Sequence, residues 1–436
     1  MKVRSSPVLG QTRKAKGIMM FNLGEKSLSM KNLLKPALLA LLMANVSSAA
    51  LAQESSDEGG GDTLEKMTGV PVHGFANMGF AEDSATDDHR RLGRGFYLNN
   101  FDLYYSPDLG NRVRFLSEVV FEPDAGNQQP TFDAERLQAG YVVNNNLTVW
   151  IGRFHTPIGY YVLAYHHGGL LQTAVEKPRF LDFEDHYGVL PVHTNGLWLN
   201  GSATAGDQRF AIMGWVGNSD RIVTDGAGFS ALDFDMSHNE NGHLSVGGRV
   251  NWIMGGKLDG VQMGVTAMKQ IVDYMGTGQT TFGATGGTDD SETTPNPNTG
   301  GGFSVDFLMY GAHLVYEGNG FEWINELYSF HDSNLKDINA TGVNSSAGFS
   351  QLAYWWRPDQ APYARYERGA FNQNDPYFAG QYNGLPYSKL AYGYRYSLND
   401  NAALKMEFSH TGFTGSSNTN TGQAFNDLHL DYSIRF

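Results

Sequence analysis

From Gly69 onward the chain repeats one unit: a segment of about ten residues that alternates apolar with polar, then a turn that is by turns very short and long. A side-chain period of two belongs to β-strands, whose successive residues point to opposite faces. Seven short turn signals carry the Gly, Pro, Asn and Asp residues that supply fixed or positive φ. They are Ser106–Asn111, Asn144–Asn146, Ala205–Asp207, Gly255–Gly260, Glu317–Gly320, Arg357–Gln360 and Leu398–Asn401. Seven turns join seven strand pairs; a leading strand near Val72–Ala81 and a closing one at Ala424–Phe436 bring the expected total to sixteen. The long connections fall near residues 82–95, 123–131, 155–192, 217–243, 272–303, 331–347, 369–387 and 411–424.

The alternation has chemical content. One face of the third segment reads Val113, Phe115, Val119, Phe121, and the other Arg112, Arg114, Glu118, Glu122. A later pair sets Leu390, Tyr392, Tyr394 and Tyr396 against Lys389 and Arg395, and Leu404, Met406 and Phe408 against Lys405 and Glu407. The last segment sets Leu428, Leu430, Tyr432, Ile434 and Phe436 against Asp427, His429, Asp431 and Arg435. In hydrocarbon every backbone group must be paired within the protein, so a spanning sheet has to close on itself. Short turns on one rim and long loops on the other complete that pattern. The expected fold class is all-β: a transmembrane antiparallel β-barrel of about sixteen strands over residues 69–436, with short periplasmic turns and long extracellular loops. A soluble β-sandwich also alternates, but it rarely exposes Tyr and Phe at strand ends, where a membrane barrel carries an aromatic girdle.

The N-terminal region reads as an address. The run Leu38–Ala44 is too short to span a bilayer, follows Lys31 and Lys35, and precedes the small-residue pattern Ala50-Leu51-Ala52. Residues 1–52 are read as a signal peptide with Met30 as the true start, and 53–68 as a flexible lead-in. Residues 1–52 hold eight of the 31 basic side chains and one of the 45 acids, so the exported product is strongly acidic. That balance excludes a nucleic-acid partner. The absence of cysteine removes disulfides, thiolate nucleophiles and Cys-ligated metal sites.

The aromatic-ended Leu428–Phe436 segment and the strand pattern resemble the sixteen-stranded porins of Gram-negative outer membranes. The segment Gly152-Arg153-Phe154-His155-Thr156-Pro157-Ile158-Gly159 is similar to the one that leads into the third loop of phosphate-selective-type porins. The resemblance implies an outer-membrane passive channel for small hydrophilic solutes or ions, a homotrimer amid lipid and lipopolysaccharide, a third loop folded into the pore, and no cofactor. It also implies an arginine cluster facing acids across the constriction. Here Arg112, Arg114, Arg136 and Arg153 would face Glu176, Asp182 and Glu184, with Glu118 and His155 also lining the pore. The third loop departs from the phosphate-type pattern in having no lysine cluster.

Two other readings follow from the residues. His155, His166, His167, His186 and His193 lie in or beside the 155–192 connection, five of the chain's 13 histidines. With the carboxylates among them, His166, His167 and His186 are candidate ligands for a divalent-metal-selective channel, although the adjacent pair His166-His167 chelates poorly. The stretch Phe330-His331-Asp332-Ser333-Asn334 looks like the catalytic stretch of the outer-membrane phospholipase, with His331 and Ser333 on one strand face. That enzyme is built on a smaller barrel, and no oxyanion-hole signature accompanies the motif, so no catalytic residue is expected.

Overall fold

The computed structural model describes residues 72–84, 94–123, 130–166, 168–182, 188–224, 230–233, 242–274, 303–335, 341–379, 381–414 and 424–436. The expected signal peptide and lead-in lie outside these residues. Strands β1 (Val72–Asp83), β2 (Arg94–Tyr105), β3 (Val113–Pro123), β4 (Pro130–Asn144), β5 (Leu147–His155), β6 (His193–Ala205) and β7 (Gln208–Asn218) form the first part of the sheet. Two short strands, β8 (Arg221–Thr224) and β9 (Ser230–Leu232), pair with each other in the fourth long connection. The sheet continues with β10 (Leu244–Ile253), β11 (Val261–Tyr274), β12 (Phe303–Gly318), β13 (Phe321–Asn334) and β14 (Val343–Tyr354). It ends with β15 (Gln360–Ala370), β16 (Tyr387–Asn399), β17 (Ala402–Phe413) and β18 (Phe425–Arg435).

Setting β8 and β9 aside, each strand pairs antiparallel with its chain neighbours, β7 with β10 included, and β1 pairs with both β2 and β18. Sixteen long strands among the described residues therefore close into a barrel, as the alternation requires. The seam runs from Phe75↔Arg435 to Asp83↔Asp427, and reciprocal bonds between Gly74 and Phe436 (2.9 and 3.0 Å) extend it by one more pair.

Strand burial follows the period of two. Along β15, Tyr363, Arg365 and Glu367 are buried while Pro362, Ala364, Tyr366 and Arg368 are exposed. Across much of the wall the exposed face is apolar, with Leu199, Ile212, Val246, Val250 and Val265 on β6–β11. At the short-turn rim, Phe321 and Tyr354 pack with ring centroids 4.7 Å apart, beside exposed Trp323 and Trp356. These rings make the interfacial belt expected of a membrane barrel. The two-residue turn Asn319-Gly320 has φ of 52° and 78°, the primed geometry whose twist matches a hairpin.

Candidate functional site: the loop-filled interior

The third long connection, residues 156–192, turns in against the inner face of the sheet. It starts where Thr156 Oγ1 meets Thr194 Oγ1 at 2.8 Å. Gly159 then bends the chain with a φ of 63°, and a β-carbon there would stand 2.0 Å from the Tyr328 hydroxyl and 2.3 Å from Glu326 Oε2. Only glycine fits so close an approach in that conformation. The single-turn helix α1 (Tyr161–Tyr165) follows, its first free amides, from Tyr160 and Tyr161, donating to Glu326 Oε1 at 2.7 and 2.6 Å.

Beyond α1 the chain runs along the wall of β13–β18. A segment away from the ladder must find other partners for its backbone, and here charged side chains provide them. Arg395 Nη1 donates to the carbonyls of Leu170 and Gln172 at 2.6 and 2.8 Å. Lys405 Nζ donates to those of Gly169 and Ala174 at 2.6 and 3.1 Å. The Val175 amide donates to Glu407 Oε2 at 3.0 Å, and the Arg179 amide to Glu367 Oε2 at 2.6 Å. Arg365, fully buried, donates to the carbonyls of Glu176 (2.7 Å) and Lys177 (3.1 Å) and pairs with Glu367 at 2.7 Å. Lys389 pairs with the Glu176 carboxylate, which also lies 3.5 Å from His429. Burial would push the Glu176 carboxyl up, but Lys389, His429 and Arg365 together hold it well below its ordinary value.

Towards the long-connection rim the interior turns apolar. Phe180, Leu181, Val189 and Leu190 pack with Tyr328, Phe330, Phe349, Phe371, Tyr377 and Phe378 in one buried cluster. Tyr377 OH donates to the Val189 carbonyl at 2.6 Å, tying the 371–386 connection to the third one. Nearby, Asp220 exchanges two bonds with the Gln270 amide group (2.7 and 3.1 Å). Burial raises its carboxyl to about 7, with Asp233 adding to the effect and the Gln270 bond opposing it.

A second cluster forms on the opposite wall. Arg136 pairs with Glu118 and lies over the Tyr104 ring, 5.6 Å from its centroid. His155 Nε2 is 3.7 Å from Glu118 Oε2, and the His155 ring stacks on His166 with centroids 3.6 Å apart. Glu135 Oε2 stands 2.7 Å from His193 Nε2 and 3.5 Å from His166 Nε2. Arg153 approaches His193 Nδ1 at 3.4 Å and Asp133 at 3.6 Å. The pairing of β3 with β4 slips by one residue between Glu118↔Arg136 and Val120↔Asp133. This bulge lets consecutive residues Glu135 and Arg136 reach the same cluster, which strict alternation forbids.

The structure thus brings Glu118, Arg136, Arg153 and His155 together. Glu176 sits instead on the β15–β18 wall, and Asp182 ends the 3-10 turn Arg179–Leu181. Arg112 and Arg114 do not join them: both are exposed beside the 106–112 turn, where Arg114 Nη1 donates to the Gly110 carbonyl at 3.0 Å. Of the histidines proposed as ligands, His166 belongs to the buried cluster, whereas His167, His186 and the acid Glu184 lie outside the described residues. Glu135, Arg365 and Glu367 were not anticipated. Period-two counting from Tyr363 would have found the last two; no sequence signal marked the bulge that turns Glu135 inward.

No family profile matches the sequence, and no curated protein matches it. Solved structures do match by shape. A loop-deletion form of OmpT, an outer membrane protein of Vibrio cholerae, superposes with a TM-score of 0.52 over 84% of this chain and 99% of its own, at 11% identity. The outer membrane channel DcaP of Acinetobacter baumannii gives 0.51 over 84% and 97%, at 10% identity. An anion-selective porin from Comamonas acidovorans gives 0.50 over 84% and 99%, at 12% identity. The fold is that of the outer-membrane porins.

Proposed function

We propose that this protein is an outer-membrane porin, a passive diffusion channel for small hydrophilic solutes or ions, narrowed by the 156–192 connection. The observation that carries the reading is the division of labour in the wall. A closed sixteen-strand sheet presents an apolar outer surface and holds a charged inner one, and its third connection is bonded to that inner face. Barrels of this size leave an aqueous lumen unless something fills it. The fold shared with a channel and an anion-selective porin supports the same conclusion. The kinship with phosphate-selective-type porins rests on the Gly152–Gly159 segment and belongs to this proposal.

We assign the protein to the outer membrane of a Gram-negative cell, among lipid and lipopolysaccharide, as a homotrimer. A patch of the outer face supports a protein neighbour there. Ser329, Ser346, Gly348, Ser350 and Ala364 on β13–β15 face outward at mid-wall, where lipid contact calls for larger apolar side chains. No catalysis is assigned. His331 Nδ1 shares a hydrogen bond with Asn344 Oδ1 at 2.9 Å on the exposed face.

Reconstitution in planar bilayers tests the channel. Discrete conductance steps in KCl, with a reversal potential set by a salt gradient, are the expected result. A folded, inserted barrel that never conducts would overturn the proposal.

A further inference from the structure

The strongest unassigned feature is a group of four buried ligating side chains on the wall opposite the salt-bridge network. Glu135, His155, His166 and His193 each offer a ligand atom, and these atoms all lie within 4.8 Å of one another. None of the four residues is more than 5% exposed. We propose that they form a closed site for one divalent transition-metal ion of the zinc class, which fastens the 156–192 connection to the barrel wall. The inference does not depend on what the barrel transports.

The donor set selects the metal. Three imidazoles and one carboxylate suit Zn²⁺, Co²⁺ or Ni²⁺, whereas Mg²⁺ and Ca²⁺ demand oxygen. Zinc holds its ligands at about 2.0–2.2 Å, so neighbouring ligand atoms in a tetrahedral site stand roughly 3.3–3.5 Å apart. Glu135 Oε2 stands 3.5 Å from His166 Nε2, at that spacing, and 2.7 Å from His193 Nε2, a direct contact that would open by under about 1 Å to admit an ion. The remaining spacings, none above 4.8 Å, would close by turning the stacked His155 and His166 rings towards the ion. Four protein ligands without an open position describe a structural site rather than a catalytic one.

Topology gives the site its consequence. Glu135 comes from the β3–β4 bulge, His155 ends β5 and His193 begins β6, so three ligands belong to the rigid wall. His155 and His193 are direct cross-strand partners at the two roots of the connection. His166 alone comes from the connection itself, immediately after α1. An ion there would pin the loop's first excursion on the side away from Arg365 and Lys405. Burial also separates this site from a binding station on a transport path: an ion held here is resident, not in passage. Beside the cluster, Glu118 stands 3.7 Å from His155 Nε2, beyond hydrogen-bond reach but close enough to add negative charge next to the ligand set.

The test uses the full-length, untagged barrel folded in detergent, stripped with a chelator and then titrated with Zn²⁺ or Co²⁺. The expected result is one ion per chain, a tetrahedral Co²⁺ visible spectrum, and slower proteolysis of the 156–182 segment when metal is bound. His166→Ala, which alters the connection and leaves the wall intact, is expected to abolish binding while far-UV circular dichroism stays unchanged. His331→Ala, on the outer face, should leave binding unchanged. No stoichiometric binding to the folded wild-type barrel, or binding that survives His166→Ala and His193→Ala alike, would overturn the proposal and leave a hydrogen-bonded histidine cluster.

Discussion

Nη1 of Arg365 donates to the main-chain carbonyl of Glu176 at 2.7 Å, so that β15 holds the middle of a loop rooted on β5 and β6. The guanidinium is fully buried and simultaneously faces Glu367 at 2.7 Å and Glu407 at 3.7 Å. Removing one member of a buried charge set leaves the others uncompensated, at a cost of about 3–5 kcal/mol. Arg365→Met is therefore expected to release the loop locally without opening the sheet. Single-channel recording should show larger, noisier conductance than wild type, with protease cuts appearing within residues 168–182.

Glu176 makes a complementary case. Its folded-state carboxyl lies below its ordinary value, so its ion pair with Lys389 contributes stability above the usual carboxylate range and loses it only as pH falls through that depressed value. Conductance is expected to hold level from neutral pH down to about pH 5, above the ordinary carboxylate range. Glu176→Gln, which leaves Lys389 charged, should shift the reversal potential towards anions at every pH in that interval.

Asp220 titrates in the opposite sense. Its folded carboxyl keeps its proton up to about 7, while an unfolded aspartate loses it near about 3.9. Between those values the folded form binds more protons, so local order is greatest at the acid end and declines as pH climbs towards 7. Hydrogen exchange of residues 219–224 and 230–233 should quicken over that window and then level off, after correction for intrinsic rates. Asp220→Asn, which preserves an acceptor for Gln270, is expected to flatten the profile.

Gly159 tests the entry of the loop. Its φ of 63° disfavours any β-carbon by about 1–2 kcal/mol, and that carbon would also strike the Tyr328 hydroxyl and Glu326. Gly159→Ala should lower the thermal midpoint seen by tyrosine fluorescence and displace α1, while β-sheet circular dichroism persists below the transition.

The small polar patch on β13–β15 gives a prediction about assembly. Spin labels or fluorophores on cysteines placed at Ser346 and Ser350 should be shielded from brominated or nickel-bearing lipids. A label at Leu199, on the apolar side, should be quenched. Equal quenching at all three positions would count against a protein neighbour on β13–β15.

Much of the barrel was legible because a closed sheet in lipid allows few patterns. Period-two alternation in β3, β16, β17 and β18, with turn chemistry at residues such as Asn319 and Gly320, located the long strands and the long connections. The interior was less legible. Parity alone places Lys389, Arg395 and Lys405 on the inner face, but which loop groups they bind, the Glu176 carboxylate for Lys389 and carbonyls for the other two, depends on how the chain beyond α1 runs along the wall. The Glu135 placement hinges on a single bulge, a shift that inverts parity without any change in composition. The apolar cluster is hidden from the sequence for a related reason. Phe371, Tyr377 and Phe378 lie in a connection, where strand periodicity says nothing about direction.

The seam between β1 and β18 has a bearing on how the molecule is made. Residues 75–83 pair with β2 along one edge, and along the other they find partners only when 427–435 arrive from the far end of the chain. Until both ends of the sheet exist in the same polypeptide, a growing intermediate carries two bare edges, each able to template unwanted association. Closure of the barrel is therefore the step that removes both edges at once. Losing even one terminal strand would leave the closing pair unmade and two strand edges bare.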